Sequence, residues 1–366
     1  MGKGLRAGIA IAALLYLGSA AGQTKASPSR IWTVGPLTKG QSVMGISFGP
    51  GGPAITPPHI DTQTRSIFSA TRSIAFAADR IVVSVQKGMR RTDGNQVPVS
   101  VFELLSIDAK TGEIVDRHEF EAYASLPVFA TNDEHIIVCG RKVFRLTPDL
   151  KDAESFEYEG RGHKLGQVEN ISSDGSTLGN ATSPGFELVD SRTLFPKELT
   201  KAPSVDTSVN VSGFITDNIH WVRDFPKDSS FVTYIDFSGE HLLYHGTCGG
   251  RPQFITNELI LEPGRQRPLI LDMQGRIVKT LPVKEPFSYA GVSQNGARFA
   301  LQIAKINGSH DLKHERFIIF SVQNGDEVAE IEPDEQAEGQ SWTAFSPDGS
   351  LFVVGSPFKL TLWRLP

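Results

Sequence analysis

The chain has 366 residues and carries 36 lysines and arginines against 41 aspartates and glutamates, a formal net charge of −5. This acidic balance disfavours nucleic acid and anionic lipid as partners, because both attract basic surfaces. Only two cysteines are present, so the composition excludes a disulfide-rich scaffold and a zinc site built from several cysteines.

The first 22 residues have the pattern of a secretory signal peptide. Lys3 and Arg6 form a basic start, Ala7–Leu17 is an apolar run, and the small residues that follow suit cleavage. The apolar run is shorter than a membrane-spanning helix, and no cysteine near the cleavage site could accept a lipid. The sequence therefore predicts a secreted or periplasmic protein with no stable membrane insertion after cleavage. An uncleaved anchor is the alternative.

Three further segments precede the main pattern. Residues 23–30 are predicted to be a disordered lead-in because they are polar and contain serine and proline. Residues 31–34 (IWTV) are predicted to form a short strand. Residues 45–58 are too rich in glycine and proline for a central strand and are predicted to form a loop. Residues 31–366 are interpreted as a single domain.

One short phrase recurs seven times along that domain: an apolar step, a turn with Asp or Asn, and a second apolar run. Successive turn residues are 54, 41, 43, 40, 38 and 53 positions apart, close to the length of one four-stranded propeller blade. The turn residues are Asp79, Asp133, Asp174, Asp217, Asn257, Asn295 and Asp348. The pattern predicts an all-β, seven-bladed β-propeller. Its last repeat has room for only three strands, so Arg30–Val34 is predicted to be the outer strand that completes the last blade and closes the ring.

A second phrase marks a hairpin between the two outer strands of a blade. It places an aspartate after two apolar residues and before a turn, at Asp108, Asp190, Asp236 and Asp272. The carboxylate of an aspartate in this position accepts hydrogen bonds from the backbone N–H groups of the turn. We therefore predict that these aspartates stabilise turns and do not act in catalysis.

The segment Phe345–Leu365 (FSPDGSLFVVGSPFKLTLWRL) resembles a blade of the WD-repeat and YVTN-like propeller superfamily. Weaker copies extend the resemblance from about Ser73 to the end of the chain. Trp363 is followed by Arg364 where a WD repeat has aspartate, so no blade has the full Trp-Asp ending of that family. The resemblance therefore implies a bacterial exported propeller of the looser type.

The two cysteines, Cys139 and Cys248, are predicted to be unpaired. They fall in nonadjacent blades, whereas a disulfide requires Cα atoms within about 7 Å of each other. No cysteine pair has the spacing of a zinc site.

The candidate binding residues lie where the first strand of each blade begins, at the mouth of the central channel. Counting six residues back from each turn residue gives Ser73, Pro127, Val168, Val211, Arg251, Tyr289 and Trp342, with Arg72 beside the first. From this set Arg72, Arg251, Tyr289 and Trp342 are the candidate binding residues, because arginine and aromatic side chains supply directional hydrogen bonds and contact area. The predicted ligand is a protein, a peptide or a glycan, bound by a monomer without a cofactor.

The alternative function is a lactonase-type hydrolase with a central metal ion. Such a centre needs several carboxylate or amide oxygens around a divalent cation. None of the seven mouth positions is acidic, and no P-loop or HExxH motif is present. The sequence therefore predicts no catalytic residue and no metal ligand, and a noncatalytic binding protein is the leading interpretation.

Export can be tested on the full-length chain in a bacterial host. We expect the protein outside the cytoplasm with Gly22 or Gln23 at its N-terminus, determined by cell fractionation and N-terminal sequencing. A membrane-bound product that retains Met1–Leu17 would instead identify an uncleaved anchor.

Overall fold

A computed structural model describes residues 27–35, 74–90, 99–122, 126–140, 143–151, 154–156, 167–171, 175–182, 185–195, 210–214, 219–224, 231–236, 241–247, 253–256, 259–263, 267–272, 276–306, 312–333, 341–355 and 359–366. Within these ranges the chain forms 27 β-strands and no helix, which confirms the all-β prediction. No helix that could span a membrane occurs in the same ranges. The predicted signal peptide (1–22), the predicted loop (45–58), Arg72, Arg251 and Cys248 lie outside them.

The described strands form seven antiparallel sheets. Sheet 1 contains β2 (Ile74–Ala77), β3 (Arg80–Arg90), β4 (Val99–Asp108) and β5 (Ile114–Ala122), and sheet 2 contains β6 (Val128–Ala130), β7 (Ile136–Cys139), β8 (Val143–Leu146) and β9 (Glu154–Phe156). Sheet 3 contains β10 (Gln167–Ile171), β11 (Thr177–Thr182) and β12 (Gly185–Asp190). Sheet 4 contains β13 (Asn210–Phe214), β14 (Ile219–Asp224), β15 (Phe231–Asp236) and β16 (His241–Thr247). Sheet 5 contains β17 (Gln253–Phe254), β18 (Leu259–Pro263), β19 (Pro268–Asp272) and β20 (Ile277–Thr280). Sheet 6 contains β21 (Phe287–Val292), β22 (Arg298–Ile306), β23 (Leu312–Ser321) and β24 (Glu327–Ile331). Sheet 7 contains β25 (Trp342–Phe345), β26 (Leu351–Gly355) and β27 (Leu360–Arg364), together with β1 (Ser29–Val34) from the start of the described chain.

Apart from β1, the strands of each sheet pair in chain order. The hairpins between first and second strands and between third and fourth strands therefore lie at one end of each sheet, which we call the turn end. The opposite end, where each first strand begins, is the mouth end. First strands of different sheets contact one another: β2 contacts β6 and β25, β10 contacts β13, and β21 contacts β25.

Five pairs of sheets pack face to face in the described residues, and the packed faces of two sheets are called a seam here. In β3, Ile81 and Val83 belong to the core of seam 7–1, whereas Val82 belongs to the core of seam 1–2. This alternation follows from the period of two in a β-strand. Similar apolar cores fill seams 2–3, 5–6 and 6–7. Burial of each large apolar side chain contributes about 1.5–3 kcal/mol, so the seams supply most of the folding energy.

The predicted aspartate turns are present at the turn end. The Asp108 carboxylate accepts hydrogen bonds from the backbone N–H groups of Lys110 (2.9 Å) and Thr111 (2.8 Å). The N–H of Thr111 is the largest cause of the lowered pKa of Asp108, and that of Lys110 contributes further. Asp190 accepts the equivalent bonds from Arg192 and Thr193. The prediction that Asp108 and Asp190 stabilise turns is therefore confirmed.

The hairpins between first and second strands add a hydroxyl group to this arrangement. Ser346 Oγ donates to the Asp348 carboxylate (2.6 Å) and accepts from the N–H of Leu351 (2.9 Å). Ser293 and Asn295 form the same pair in sheet 6. These side chains form hydrogen bonds with backbone groups that have no strand partner in the tight turn.

An ion-pair cluster joins sheets 1 and 2 at the turn end. Arg80 begins β3, and its guanidinium lies 3.0 Å from Asp108 of the same sheet and 2.9 Å from Asp149, which follows β8 of sheet 2. Asp79 is 2.9 Å from the same guanidinium. The side chain of Arg80 is largely buried, so these carboxylates hold it between the two sheets.

β1 is the outer strand of sheet 7, where it pairs antiparallel with β27. The strand begins at Ser29, one residue earlier than the predicted outer strand, because Ser29 also pairs, with Arg364. The predicted disordered lead-in therefore ends earlier than residue 30. Trp32 Nε1 also donates to the carbonyl oxygen of Ala109 in sheet 1 (2.9 Å). β1 thus connects the last sheet to the first.

Deletion of residues 24–36 is expected to lower the melting temperature by several degrees or to cause aggregation. The deletion removes β1 and exposes the β27 edge, and a loss of one or two kcal/mol shifts the midpoint on this scale. Deletion of residues 24–28 is the control, since it leaves β1 whole. Equal melting temperatures and solubility for the two deletions, measured by calorimetry and size-exclusion chromatography, would contradict a stabilising role of β1.

Candidate functional site

Tyr289 and Trp342, two of the four candidate binding residues, lie near the mouth end of neighbouring first strands. Tyr289 is in β21 and Trp342 begins β25, and these strands contact each other. A hydrogen bond from Thr343 Oγ1 to the carbonyl oxygen of Ala290 joins the two strands. The first strands of sheets 6 and 7 therefore place both aromatic residues at one end of the molecule.

The two aromatic side chains pack into different seams. Tyr289 is partly buried against the core of seam 5–6, whereas Trp342 is partly buried against the core of seam 7–1. Trp342 pairs with Gly355 of β26, where an added Cβ would lie only 2.5 Å from the Ile74 side chain. Each ring therefore also contributes to packing between sheets, and its role in binding stays a prediction.

A chain of polar side chains crosses seam 6–7 at the mouth end, and the sequence did not predict it. Ser288 Oγ donates to Gln302 Oε1 (3.0 Å), and Gln302 Nε2 donates to the Glu315 carboxylate. Ser341 Oγ, which immediately precedes β25, donates to the other carboxylate oxygen of Glu315 (2.6 Å). Three strands of sheet 6 and the start of β25 thus converge on one carboxyl group.

Glu315 is buried, with 5% relative exposure, although glutamate is rarely buried so deeply. Burial raises the pKa of Glu315, and the hydrogen bonds from Ser341 and Gln302 oppose the shift without cancelling it. Both donors are uncharged. The neutral acid is therefore favoured here to a higher pH than in an exposed glutamate.

The neighbouring residue, Arg316, points to the opposite seam because successive side chains in a strand alternate. Its guanidinium pairs with Glu285 (2.7 Å) and with Glu330. Hydrogen bonds from the backbone N–H groups of Glu285 and Lys284, together with Arg316, lower the pKa of Glu285. Arg316 is thus held by carboxylates on its own side of sheet 6.

The described part of this end offers hydrogen-bonding groups and aromatic surface. Ser288 is exposed, and Gln302 and Ser341 are partly exposed, so solvent reaches the polar chain near the buried Glu315. The described ranges contain no group of three or more His, Cys, Asp or Glu side chains placed to hold a metal ion. These groups suit non-covalent recognition of a polar ligand.

Cys139 is a free thiol in the structure. It ends β7 and packs against the apolar core of seam 2–3. Burial raises the pKa of this thiol, which disfavours the reactive thiolate. Cys139 is therefore a packing residue and not a candidate nucleophile.

The seven described antiparallel sheets of three or four strands, with the seams described above, make the chain similar to the β-propeller superfamily. No protein-family model and no curated protein matches the chain. Among solved structures it is similar to BamB from Moraxella catarrhalis, with 13% identity, TM-score 0.40, and coverage of 80% of this chain and 95% of that chain. A chain of the mitotic checkpoint complex gives 12% identity, TM-score 0.48, and coverage of 81% and 87%. TolB from Acinetobacter baumannii gives 12% identity, TM-score 0.38, and coverage of 77% and 80%. At these low scores, the architecture rests on the sheets and seams of this chain.

Glu315→Gln is expected to remove a pH-dependent contribution to stability. Because the folded-state pKa of Glu315 is raised, the stability linked to this group is present at low pH and is lost as the pH rises through that pKa. Glutamine stays neutral. The melting temperature of the variant relative to the natural protein should therefore rise as the pH increases above 4.5, the ordinary value for this carboxyl group.

The control for this experiment is Ser341→Ala, which removes one hydrogen-bond donor and keeps the acid. Its melting temperature should show at least as much pH dependence from Glu315 as the natural protein, because the hydrogen bond from Ser341 opposes the raised pKa. Thermal melts of all three proteins across a series of buffers give the comparison. A difference between Glu315→Gln and the natural protein that is constant with pH would show that Glu315 ionises as freely when folded as when unfolded.

Proposed function

We propose that the protein is an exported, noncatalytic β-propeller of seven blades that binds a protein, peptide or glycan at its mouth end. The observation that carries the proposal is the mixture of aromatic and polar side chains at the start of β21 and β25. Export is supported by the signal-peptide pattern of residues 1–22. Loss of Lys3 and Arg6 with the leader leaves 34 basic against 41 acidic residues, which disfavours nucleic acid as the ligand.

Ring closure is supported by the contacts of the first and last sheets. The core of seam 7–1 combines Ile74 and Leu105 of sheet 1 with Val353 and Leu362 of sheet 7. β1 adds Trp32, which packs against the same core and donates to Ala109. A chain of sheets whose ends meet in this way has no uncovered terminal face. The closed ring of seven blades accounts for all of these contacts.

Binding at the mouth is supported by how the site combines its groups. Trp342 and Tyr289 are partly exposed aromatic residues, and such residues supply much of the affinity in protein recognition. Ser288, Gln302 and Ser341 add hydroxyl and amide groups close by. Arg251 and Arg72 are assigned to the same end by the repeat register. We propose that the arginines hold an anionic or polar group of the ligand, which a monomer can bind without a cofactor.

The test begins with ligand discovery, using the purified mature protein as bait on a glycan array and in an extract of the periplasm or secreted fraction. Once a ligand is found, Arg251→Ala and Trp342→Ala should each weaken binding at least about tenfold, since loss of a buried anchor costs roughly 2 kcal/mol or more. Dissociation constants measured by calorimetry give the comparison. Trp342 also packs in a seam, so binding is measured well below the melting temperature of each variant.

Ile277→Ala is the matched control, because Ile277 is 62% exposed on the outer strand of sheet 5. It should leave the affinity unchanged. If Arg251→Ala and Trp342→Ala bind normally and Ile277→Ala loses binding, the binding site lies on the outer rim and not at the mouth end. A divalent metal found in the purified protein by elemental analysis, with a melt sensitive to chelator, would favour a metal-dependent hydrolase instead.

A further inference from the structure

Gly175 is approached by turns from two other sheets. It lies in the hairpin between β10 and β11 of sheet 3 and has a φ of +78°. A Cβ atom at this position would lie 2.8 Å from the backbone nitrogen of Asn132 and 3.0 Å from Nε2 of Gln294. Asn132 belongs to the equivalent hairpin of sheet 2, whereas Gln294 belongs to that of sheet 6. Only glycine allows both groups to come so close.

Adjacent hairpins at the turn end are also linked in pairs. The N–H of Asn132 donates to the carbonyl oxygen of Gly175 (3.3 Å), which joins sheets 2 and 3. The N–H of Asn295 donates to the carbonyl oxygen of Pro347 (3.0 Å), and its side-chain amide donates to that of Asp348 (2.9 Å), which joins sheets 6 and 7. The contact of Gln294 with Gly175 then connects the two pairs.

Sheets 3 and 6 are separated by two sheets in one direction around a ring of seven and by three in the other. A contact between their innermost hairpins therefore crosses the axis of the ring. In a propeller the axis is the position of the central channel. The side chain of Gln294 accordingly lies across the channel at the turn end.

We propose that the hairpins of sheets 2, 3, 6 and 7 close the channel at the turn end, with Gln294 against Gly175 at its centre. This inference rests on the closed ring proposed above and deepens the proposed binding function. A ligand group that enters the channel must then enter and leave through the mouth end. The partner that fits is one that projects a chain end or a loop into the mouth, because a chain threaded through the ring would meet the closed end.

The contact can be tested without any ligand, by cross-linking. Asn132→Cys and Gln294→Cys are combined in a chain whose native cysteines are replaced by alanine, and the probe is a short rigid dimaleimide. Asn132 is exposed, so a thiol there is available to the reagent. Two thiols held close together have a high effective concentration, so intramolecular cross-linking should exceed that of the control pair at least about tenfold, measured by peptide mass spectrometry.

The control pair is Gln294→Cys with Arg192→Cys, because Arg192 is exposed in the outer hairpin of sheet 3. Equal yields for the two pairs would overturn the closed turn end. If the Asn132 variant does not keep the melt of its cysteine-free parent, Ser176→Cys replaces it, and the same comparison decides. Equal cross-linking yields would refute the closed turn end without affecting the binding measurements at the mouth end. Preferential cross-linking of the Asn132 pair, together with normal ligand binding by the Arg251 and Trp342 variants, would refute only the proposed binding site at the mouth end.

Discussion

Sheets 1, 2, 6 and 7 each pack apolar residues on both faces, and the rest of the structure depends on this constraint. In β22, Ala300 packs into seam 6–7 while Phe299 and Leu301 pack into seam 5–6. A row of such sheets would leave an apolar face bare at each end, at a cost of roughly 25 cal/mol for each Å² left in water. Packing of sheet 7 against sheet 1 covers an apolar face of each of these two sheets. β1, which precedes sheet 1 in the chain, pairs with β27 in sheet 7 and also contacts sheet 1 through Trp32, so it joins the first and last sheets.

Apolar packing is non-directional, so it does not by itself fix how one sheet is placed along its neighbour. Polar contacts across the seams do so at both ends. Arg80 reaches Asp149 in the next sheet at the turn end, and Glu315 accepts from Ser341 in the next sheet at the mouth end. A shift of one sheet by a single residue would separate each pair and leave a buried polar group without its partner. Such pairs therefore set the register between blades.

The sequence predicted local features well. Aspartate and a nearby hydroxyl identify a tight turn because both partners lie within a few residues, as Ser346 and Asp348 do. The placement of β1 followed from the shortage of strands in the last repeat. Directions of side chains across the seams were not predictable by counting back from the turns. β21 has a bulge between Tyr289 and Gly291, whereas the described part of β2 pairs regularly with β3. Counting six residues back from the turn residue therefore reaches a different position along the first strand in different sheets.

The Glu315 site shows what was missed and what signal was available. Glu315, Phe317 and Ile319 alternate along β23 on one face, so the acid lies in line with core residues two and four positions away. That alignment predicts burial, but the partners Gln302 and Ser341 come from other strands. Pairing between strands and packing between sheets bring Gln302 and Ser341 to Glu315. A local sequence motif predicts neither of these contacts.

Asp348 at the turn end and Glu315 at the mouth end respond to acid in opposite ways. At the turn end, the pKa of Asp348 is lowered, because hydrogen bonds from Ser346 and Ser350 outweigh the opposing effect of burial. Stability linked to Asp348 is lost as the pH falls through its folded pKa, whereas stability linked to Glu315 is lost as the pH rises. Acidification therefore removes a stabilising contribution at the Asp348 hairpin, whereas the contribution of Glu315 between sheets 6 and 7 is kept.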